Sequence, residues 1–277
     1  MEKEIWLITG VSSGLGKAIA EAAIEKGHFV IATFRKEVQV NDFNEAYKSK
    51  GKAFFLDISN IESISDFAIK IKAEFKRLDV LVNNAGMGFV GAIEETSMDE
   101  VRKVFETNFF GTLKMTQSIL PIMRAQASGH IIQISSHGGL KAFAGFGIYN
   151  ASKFALEGFS EAMAQEVAPL GIKTTIIEPG PFRTKFAGSG LGMAKEQIDD
   201  YSETAGAFRK KLKSVDGIQE GDPEQAAIAI LNVVRKENPP LRLPLGKTAL
   251  TTISMKIESV KSDLEAARDI ANSAVFN

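Results

Sequence analysis

Cysteine is absent from the 277 residues of this chain. Without it, disulfides, thiolate catalysis and cysteine-bound metals are excluded. The three imidazoles, His28, His130 and His137, are scattered without the spacing of metal ligands, so no metal site is expected. An apolar run long enough to span a bilayer is also missing, as is the apolar segment of a signal peptide at the N-terminus. These absences lead us to expect a cytoplasmic protein.

An excess of either charge is missing too, since 33 lysines and arginines stand against 34 aspartates and glutamates. Proteins that bind nucleic acid or anionic membranes usually carry a basic surface. One basic cluster is interpreted as a solvated helix face; it consists of Arg209, Lys210, Lys211 and Lys213. We therefore expect a small-molecule substrate, and neither nucleic acid nor a membrane as a partner.

Short apolar runs alternate with helical patterns along most of the chain. Six runs predict buried strands, at residues 5–9, 29–34, 53–56, 80–82, 130–135 and 173–177, the last of them stopped by residues 178–180. Helices are predicted at 14–26, after the capping boxes Ser59–Glu62 and Ser97–Glu100, at 149–167, and after Asp222. This alternation predicts a doubly wound α/β (Rossmann) sheet of about seven mainly parallel strands, with helices on both faces, in one domain spanning 1–277.

The stretch 181–221 is the one long irregular segment, and it contains Gly188, Gly190 and Gly192. It follows the carboxyl end of a predicted strand, where ligands bind in such sheets. We predict that it is a substrate lid enclosing some helix, and the most mobile part of the protein. The tail from Asn238 is expected to supply the last strand and a closing C-terminal helix.

A glycine-rich turn, Thr9-Gly10-Val-Ser-Ser13-Gly14-Leu-Gly16, lies between the first predicted strand and the first predicted helix. Glycines let the backbone approach a pyrophosphate, and the amides at the helix N-terminus point towards its charge. The spacing differs from G-x-G-x-x-G, and a tight turn without any nucleotide would also use glycines. The position of the turn favours a nucleotide site.

The end of the second predicted strand distinguishes between the two nicotinamide cofactors. An acidic residue there binds the ribose hydroxyls of NAD, whereas an arginine accommodates the 2′-phosphate of NADP. Here the strand ends in Ala-Thr-Phe-Arg35-Lys36, without an acid. Arg35 can donate a charge-assisted pair of hydrogen bonds to a phosphate, which favours NADP(H). The alternative is that Arg35 and Lys36 are solvated loop residues.

Tyr149 and Lys153 are four residues apart in a predicted helix, so they share a helix face. A neighbouring ammonium favours the phenolate and lowers the pKa of a tyrosine, which normally lies near ~10. A tyrosine in that position can exchange a proton with a substrate oxygen at neutral pH. The alternative is a structural tyrosine with an unrelated lysine.

These motifs together resemble the single-domain branch of the short-chain dehydrogenase/reductase family. The resemblance covers roughly residues 3–185, and it includes the glycine turn, Asn83-Asn84-Ala85-Gly86, Ser136 thirteen positions before Tyr149, Tyr149-x-x-x-Lys153, Asp57, Asn108, Pro179-Gly180 and Thr184. It implies that Ser136 holds the substrate oxygen, Tyr149 transfers the proton and Lys153 binds the nicotinamide ribose. Asn108 would hold a water that links Lys153 to solvent.

The resemblance also implies the binding residues. Those for the cofactor are Gly10, Ser12, Ser13, Gly14, Leu15, Gly16, Arg35, Asp57, Ile58, Asn84, Ala85, Gly86, Tyr149, Lys153, Pro179, Gly180, Phe182 and Thr184. The position of the predicted pocket, around Tyr149 and under the lid, gives the substrate residues Ser136, His137, Phe143, Tyr149 and Phe186, with Met87, Phe89, Phe182 and Leu191 as further candidate walls. The alternative for each phenylalanine is a place in the core. His137 is interpreted as a pocket or loop residue rather than a second acid–base group.

The expected activity is hydride transfer between NADP(H) and a lipophilic ketone, aldehyde or secondary alcohol, by a homodimer or homotetramer. Two alternatives stay open. A nucleotide-sugar epimerase or dehydratase shares the Y-x-x-x-K pair but typically needs a larger C-terminal domain. A non-catalytic NADP(H)-binding protein commonly lacks the tyrosine or the serine, and both are present here.

Overall fold

The computed structural model describes residues 3–188 and 190–276. Within these residues the strands are β1 (Ile5–Ile8), β2 (Phe29–Phe34), β3 (Gly51–Phe55), β4 (Val80–Asn83), β5 (Gly88–Val90), β6 (Gly129–Ile134), β7 (Ile172–Pro179), β8 (Leu191–Met193) and β9 (Arg242–Leu245). The helices are α1 (Gly14–Glu25), α2 (Glu37–Ala46), α3 (Ile61–Glu74), α4 (Met98–Phe105), α5 (Gly111–Gln126), α6 (Gly147–Val167), α7 (Ala207–Ser214), α8 (Pro223–Val234) and α9 (Lys247–Ser273).

Seven of these strands form one parallel sheet in the order β3-β2-β1-β4-β6-β7-β9. This order confirms the predicted doubly wound Rossmann fold in a single domain. The strand order reverses between β1 and β4, so the loops that follow these two strands diverge. In such sheets the crevice at this switch point is where ligands bind.

Helices cover both faces of the sheet, as the apolar runs of its strands require. On one face α1, α2 and α8 bury a core that includes Trp6, Ile19 and Ile230. On the other face α3, α5 and α6 bury a core that includes Leu7, Ile71 and Met115. Strands buried on both sides lack period-two alternation, which explains why they are continuous apolar runs in the sequence.

Capping residues set the beginnings of several helices. Ser97 and Glu100 form the expected capping box at α4, and the side chain of Asp222 caps α8. The predicted box at Ser59–Glu62 is wrong by one residue, because Asn60 is the cap and accepts from the Ser63 amide at 3.0 Å. The Ser59 hydroxyl is engaged elsewhere, since it donates to Asp57 at 2.8 Å.

Two predicted boundaries shift near the candidate site. Helix α6 begins at Gly147, two residues before Tyr149. Strand β7 continues through Glu178 to Pro179 instead of stopping before them, because β9 pairs with both residues. The Gly180 amide continues this ladder with a hydrogen bond of 2.9 Å to the Leu245 carbonyl. The extension of β7 ties the residues that follow it to the sheet.

The segment 181–221 contains β8, α7 and short helical turns. Strand β8 pairs in parallel with β5 in a small second sheet. Arg209 at α7 is 7% exposed and donates to both carboxylate oxygens of Glu95, at 2.7 and 2.8 Å. The interpretation of the basic cluster as a solvated helix face is therefore wrong for Arg209, and holds for its exposed neighbours Lys210, Lys211 and Lys213.

The tail forms the expected last strand and C-terminal helix, but α9 closes only a little of the molecule. Of its 27 residues, the buried ones are Ala249 and Ile253, near its beginning. From Ile257 onwards the helix is exposed to solvent. No helix within residues 3–188 and 190–276 combines the length and apolar character required to cross a membrane.

Candidate active site

The glycine turn between β1 and α1, called the glycine cradle below, presents backbone rather than side chains at Gly10, Gly14 and Gly16. Gly10 and Gly14 have φ of +72° and +61°, in the left-handed region that favours glycine. A Cβ at Gly16 would collide with the Asn84 side chain and lie 2.6 Å from the Gly10 carbonyl oxygen. The first amides of α1 receive no side-chain cap from Ser13. This backbone fits the pyrophosphate of a dinucleotide, whose charge the amides at a helix N-terminus bind.

The loop after β4 holds the glycine turn in place. The Asn84 amide group donates to the carbonyl oxygens of Thr9 at 2.9 Å and Gly10 at 3.0 Å. In return the Thr9 hydroxyl accepts from the backbone amides of Asn84 and Ala85, both at 3.0 Å. A Cβ on Gly10 would come within 3.0 Å of Ala85. The Asn-Asn-Ala-Gly run therefore fixes the backbone of the glycine turn and packs against it, as expected for residues that bind the cofactor.

Arg35 and Asp57 lie at the carboxyl ends of β2 and β3. The Gly10 amide donates to the Thr33 hydroxyl at 3.2 Å, so the end of β2 is adjacent to the glycine turn. Arg35 is exposed two residues further on. Asp57 is half-buried and accepts from the amide and hydroxyl of Ser59 at 3.0 and 2.8 Å, beside the buried Ile58.

The residues after β7 meet the glycine turn from the other side. A Cβ on Gly14 would lie 3.2 Å from the Thr184 Cβ, so Thr184 lies over the beginning of α1. Pro179 and Gly180 lead into this segment from the sheet. Phe182 forms an isolated parallel bridge with Gly221, which joins the two ends of the 181–221 segment.

Tyr149, Ser136 and Lys153 converge at the N-terminal end of α6 and the end of β6. They are 4%, 8% and 5% exposed. The Ser136 Oγ accepts from the Gly138 amide at 3.0 Å, which fixes the hydroxyl beside Tyr149. The Lys153 ammonium donates to the Ile134 carbonyl at 2.8 Å and lies 6.0 Å from the centre of the Tyr149 ring. The expected serine, tyrosine and lysine are thus brought together.

Burial dominates the electrostatics of these groups. It raises the pKa of Tyr149 to about 12, and the hydrogen bond from Ser136 opposes that rise. Burial lowers the pKa of Lys153 to about 8, while the negative charge of Glu157 opposes that fall. The direction for Tyr149 is opposite to the sequence-based expectation, because desolvation of the phenolate is the largest effect on it and the Lys153 ammonium donates to the Ile134 carbonyl.

Asn108 lies in a π-helical turn, Glu106–Phe110, between α4 and α5. Its amide group donates to the Met87 carbonyl at 2.9 Å and to the Ser152 hydroxyl at 3.0 Å. Its side-chain oxygen accepts from the Met87 amide at 2.8 Å. A Cβ on Gly86 would lie 3.3 Å from that oxygen and 3.7 Å from the Lys153 Nζ. Asn108 therefore joins the loop after β4 to α6 close to Lys153.

The two adjacent serines lie beside different side chains of α6. Ser136 lies beside Tyr149, as its effect on that pKa requires. Ser135 lies beside Glu157, about two helical turns further along α6, and its hydroxyl stabilises the ionised form of that carboxyl group. The thirteen-residue spacing selected Ser136, and the geometry places that serine beside the phenol.

Aromatic rings cover the Tyr149 phenol. Phe146 stacks on it with ring centres 4.3 Å apart, and Phe186 meets it edge-on at 5.5 Å. Phe208 packs against Phe146 at 5.2 Å and lies parallel to Phe143 at 6.5 Å. Phe186 and Phe143 were expected here. Phe146 and Phe208 were missed, although Phe146 precedes Tyr149 by only one helical turn.

His137 has a structural environment. Its Nδ1 lies 2.9 Å from the Thr252 hydroxyl of α9, and its ring packs against Phe143 at 5.1 Å. Burial lowers its pKa, which favours the neutral imidazole. These contacts fit a wall of the pocket. The loop behind it is fixed by Asn150, which donates to the Gly138 carbonyl at 2.8 Å and was not singled out from the sequence.

The sequence profile of the short chain dehydrogenase family matches residues 4–191, more than half of the chain. The chain therefore belongs to the short-chain dehydrogenase/reductase family, as its motifs indicated. It is an oxidoreductase that transfers a hydride between a nicotinamide nucleotide and an alcohol or carbonyl group.

Individual relatives match almost the whole length. A solved structure of a short-chain dehydrogenase from Streptomyces avermitilis is 41% identical, covers 99% of both chains and superimposes with a TM-score of 0.93. The 3-ketodihydrosphingosine reductase of Bacteroides thetaiotaomicron is 39% identical and covers 89% of each chain. Human retinol dehydrogenase 8 is 38% identical over 85% of this chain and 79% of its own.

Proposed function

We propose that this chain is an NADP(H)-dependent reductase or dehydrogenase of lipophilic carbonyl compounds and alcohols. Tyr149 is the proton donor and acceptor, and Ser136 orients the reacting oxygen. The observation that carries the proposal is the Tyr149 phenol, fixed beside the Ser136 hydroxyl and covered by aromatic rings.

The chemistry follows from where charge develops. A nicotinamide nucleotide held by the glycine turn and Lys153 would supply or accept a hydride at the carbon of the substrate. As negative charge grows on the substrate oxygen, the Ser136 hydroxyl donates a hydrogen bond to it and Tyr149 delivers a proton. Ser136 is suited to this role because the Gly138 amide fixes its oxygen, and the proton that its hydroxyl directs at Tyr149 can be donated instead to a substrate oxygen bound between the two. Lys153 and Asn108 complete the proposed catalytic group.

The preference for NADP(H) is supported by Arg35 and by the lack of an acid at the end of β2. The glycine cradle and the loop after β4 would hold the pyrophosphate and adenosine. Thr184, which lies over the beginning of α1, would contact the nicotinamide end, as the family resemblance implies. A related structure at 27% identity, described as ElxO with NADP bound, agrees with this choice of cofactor.

A lipophilic substrate is supported by the rings around Tyr149. Phe143, Phe146, Phe186 and Phe208 present apolar surface to the phenol or to one another. The names of two relatives include lipophilic compounds, 3-ketodihydrosphingosine and retinol. An apolar ketone, aldehyde or secondary alcohol would replace ring contacts with contacts of its own.

The segment 181–221 is proposed to be the substrate lid. Phe186 from this segment covers Tyr149, and β8 attaches its first half to β5. The Glu95–Arg209 ion pair attaches its second half. We predict that residues 181–194 exchange amide hydrogens faster than α7, since α7 carries the buried ion pair.

A homodimer or homotetramer is the proposed assembly, with α9 as a contact between two copies. Apolar side chains recur along its exposed part at alternating spacings of three and four, as in coiled-coil helices; they are Ile257, Val260, Leu264, Ala267 and Ala271. Basic and acidic residues are balanced on this helix, which suits a second copy better than an anionic membrane.

Light scattering tests this assembly with a matched pair of substitutions. Leu264 and Met255 are 67% and 56% exposed, and they lie on different sides of α9. Leu264→Asp should reduce the solution mass to that of a smaller species, and Met255→Asp should not. Equal masses for both variants and the native chain would contradict the proposed contact.

The cytoplasmic location also stays a proposal, and cell fractionation tests it.

A panel of carbonyl compounds, followed by the absorbance of NADPH, tests the proposed activity. The panel should include long-chain ketones, retinal, short polar ketones and nucleotide sugars. Turnover of apolar members with NADPH, and faster than with NADH, is expected. Conversion of a nucleotide sugar without net NADPH consumption would support an epimerase, and NADPH binding without turnover of any member would support a non-catalytic role.

A further inference from the structure

A second group of ionisable side chains lies directly behind the candidate active site. Glu157 is one helical turn beyond Lys153 on α6, and its side chain is 5% exposed. Glu178, near the end of β7, is 0% exposed. Both carboxylates approach the same atom, the Arg242 Nε of β9, at 3.4 Å from Glu157 and 3.3 Å from Glu178.

The charges in this group do not balance. The Nη2 of Arg242 binds the Glu161 carboxylate at 2.7 Å, and the Glu161 side chain is 52% exposed. Three carboxylates therefore face a single guanidinium, and two of them are buried. Two buried carboxylates that share a site cannot both ionise without a large cost, so such pairs retain one proton between them.

Their surroundings favour the same state. Burial and the negative charge of Glu157 raise the pKa of Glu178 to about 8, although Arg242 acts against this. Burial also raises the pKa of Glu157, while Ser135, Arg242 and Lys153 lower it. Glu178 is the better site for the shared proton, because Glu157 has more groups that stabilise its ionised form.

The position of Ser135 completes the group. A Cβ on Gly139 would lie 2.5 Å from the Ser135 Oγ and 3.0 Å from the Glu157 Cγ. Ser135 and Glu157 are thus packed together with Gly139 between them. The groups that face Glu157 are Lys153 and Glu161 on α6, Ser135 after β6, Glu178 on β7 and Arg242 on β9.

We propose that the buried Glu157–Glu178 pair, held by Arg242, shares one proton and is a positioning group that keeps the Lys153 ammonium charged. Ionised Glu157 offsets the cost of burying the lysine one turn away. Glu178 stores the proton that the two carboxylates cannot both release. The importance of this for turnover rests on the proposed function of Lys153, but the electrostatic coupling can be measured without turnover.

The direct test is the titration of Lys153 by NMR, in protein labelled with ¹³C at the lysine Cε and assigned with Lys153→Met. Glu157→Gln should lower the midpoint of Lys153 by about one pH unit or more. Glu178→Gln should lower it by less than half as much, because the proton already neutralises that carboxyl group. Glu161→Gln is the control, and it should leave the midpoint in place. An unchanged midpoint in Glu157→Gln, or equal shifts for Glu157→Gln and Glu178→Gln, would overturn the proposal.

Titration of the native chain gives a second test, whose main result does not depend on whether a variant folds. In protein labelled with ¹³C at the glutamate Cδ, one carboxyl group should titrate above pH 6, and its signal should be absent from Glu178→Gln. If every glutamate titrates below pH 6, no shared proton exists at neutral pH and the proposal fails.

Turnover provides the link to catalysis. With a substrate found in the carbonyl panel, Glu157→Gln should move the alkaline limit of kcat to lower pH by the same amount as the Lys153 midpoint, with KM for the carbonyl compound little changed. A shifted Lys153 midpoint without a shifted kcat profile would confine the pair to a structural role. If no carbonyl compound is turned over, the proposed function fails while the NMR result still decides the coupling.

Discussion

The nucleotide side and the substrate side of the crevice are built by different means. On the nucleotide side, backbone glycines and the Asn84 side chain form the cradle, and the chain has little freedom there. On the substrate side, packed aromatic rings around Tyr149 and the buried Glu95–Arg209 ion pair hold the structure together. A constraint on the backbone requires particular residues at a fixed spacing, and that spacing can be seen in the sequence. A contact between side chains that are far apart along the chain requires no such spacing. The motifs of the sequence therefore reveal the nucleotide side, whereas the packing of the substrate side becomes apparent only in the fold.

The strongest expected effect lies where the two sides meet. Tyr149→Phe removes one hydroxyl and keeps the ring that stacks on Phe146. It should lower kcat by roughly 10²–10⁴-fold with NADPH affinity retained, since general acid–base catalysis contributes that much. Steady-state rates and NADPH titrations measure the two quantities separately. Ser136→Ala should also be severe, while Ser135→Ala, whose hydroxyl faces Glu157, should be much milder. The reverse order would exchange the roles of the two serines.

The substrate side should respond most to loss of its buried ion pair. Arg209→Met leaves the Glu95 carboxylate buried, with only the amides of Ala92 and Ile198 as donors. We expect a loss of about 3 kcal/mol in stability and a fall of about 5 °C or more in Tm. Arg102→Met is the control, because its pair with Asp99 is exposed at 67% and 95% and should contribute little. Similar Tm values for both variants would show that the Glu95–Arg209 pair does not stabilise the substrate side.

The nucleotide side should respond to loss of Arg35 in a selective way. A charged hydrogen bond is worth ~1.5–3 kcal/mol, so Arg35→Ala should weaken NADPH binding by roughly tenfold to a hundredfold. NADH binding should barely change, because it lacks the 2′-phosphate. Fluorescence titration with both cofactors measures this. Equal losses for NADPH and NADH would mean that Arg35 does not contact the phosphate.

The smallest effect should come from the carboxylate behind the site. Glu178 has a pKa of about 8 in the folded chain and an ordinary value when unfolded, so the folded state binds more protons between these two values. Native stability therefore falls as pH rises through this window. Glu178→Gln removes that dependence, and its Tm relative to the native chain should rise by on the order of 3 °C between pH 6 and pH 7. A Tm difference that is constant with pH would contradict the raised pKa.

Sequence and structure agree most where periodicity and backbone geometry decide the outcome. The alternating apolar runs predicted the seven-stranded sheet, and the spacings predicted that Ser136, Tyr149 and Lys153 converge. The extension of β7 to Pro179 could not be read from the chain, because β9 pairs with it from 66 residues away in the register Glu178↔Pro244 and Pro179↔Leu245. An even longer separation, 114 residues, hid the burial of Arg209, whose partner is Glu95.

The pKa of Tyr149 shows a further limit. The Lys153 spacing correctly predicted a cation on the same helix face, but it gave no information on desolvation or on the Ile134 carbonyl that holds the ammonium. Likewise, Glu157 continues the four-residue steps of Tyr149 and Lys153, yet its partner Glu178 comes from another element. Local patterns locate a group, whereas its energetics depend on what the fold packs around it.

A single-turnover experiment with deuterium at the C4 position of NADPH tests the central claim most directly. The native chain is mixed with this cofactor and an apolar ketone, and the alcohol is examined by mass spectrometry. The account predicts one deuterium on the carbinol carbon with the native chain, and at least 10²-fold slower incorporation with Tyr149→Phe. Equal rates of deuterium incorporation for the native chain and Tyr149→Phe would contradict it.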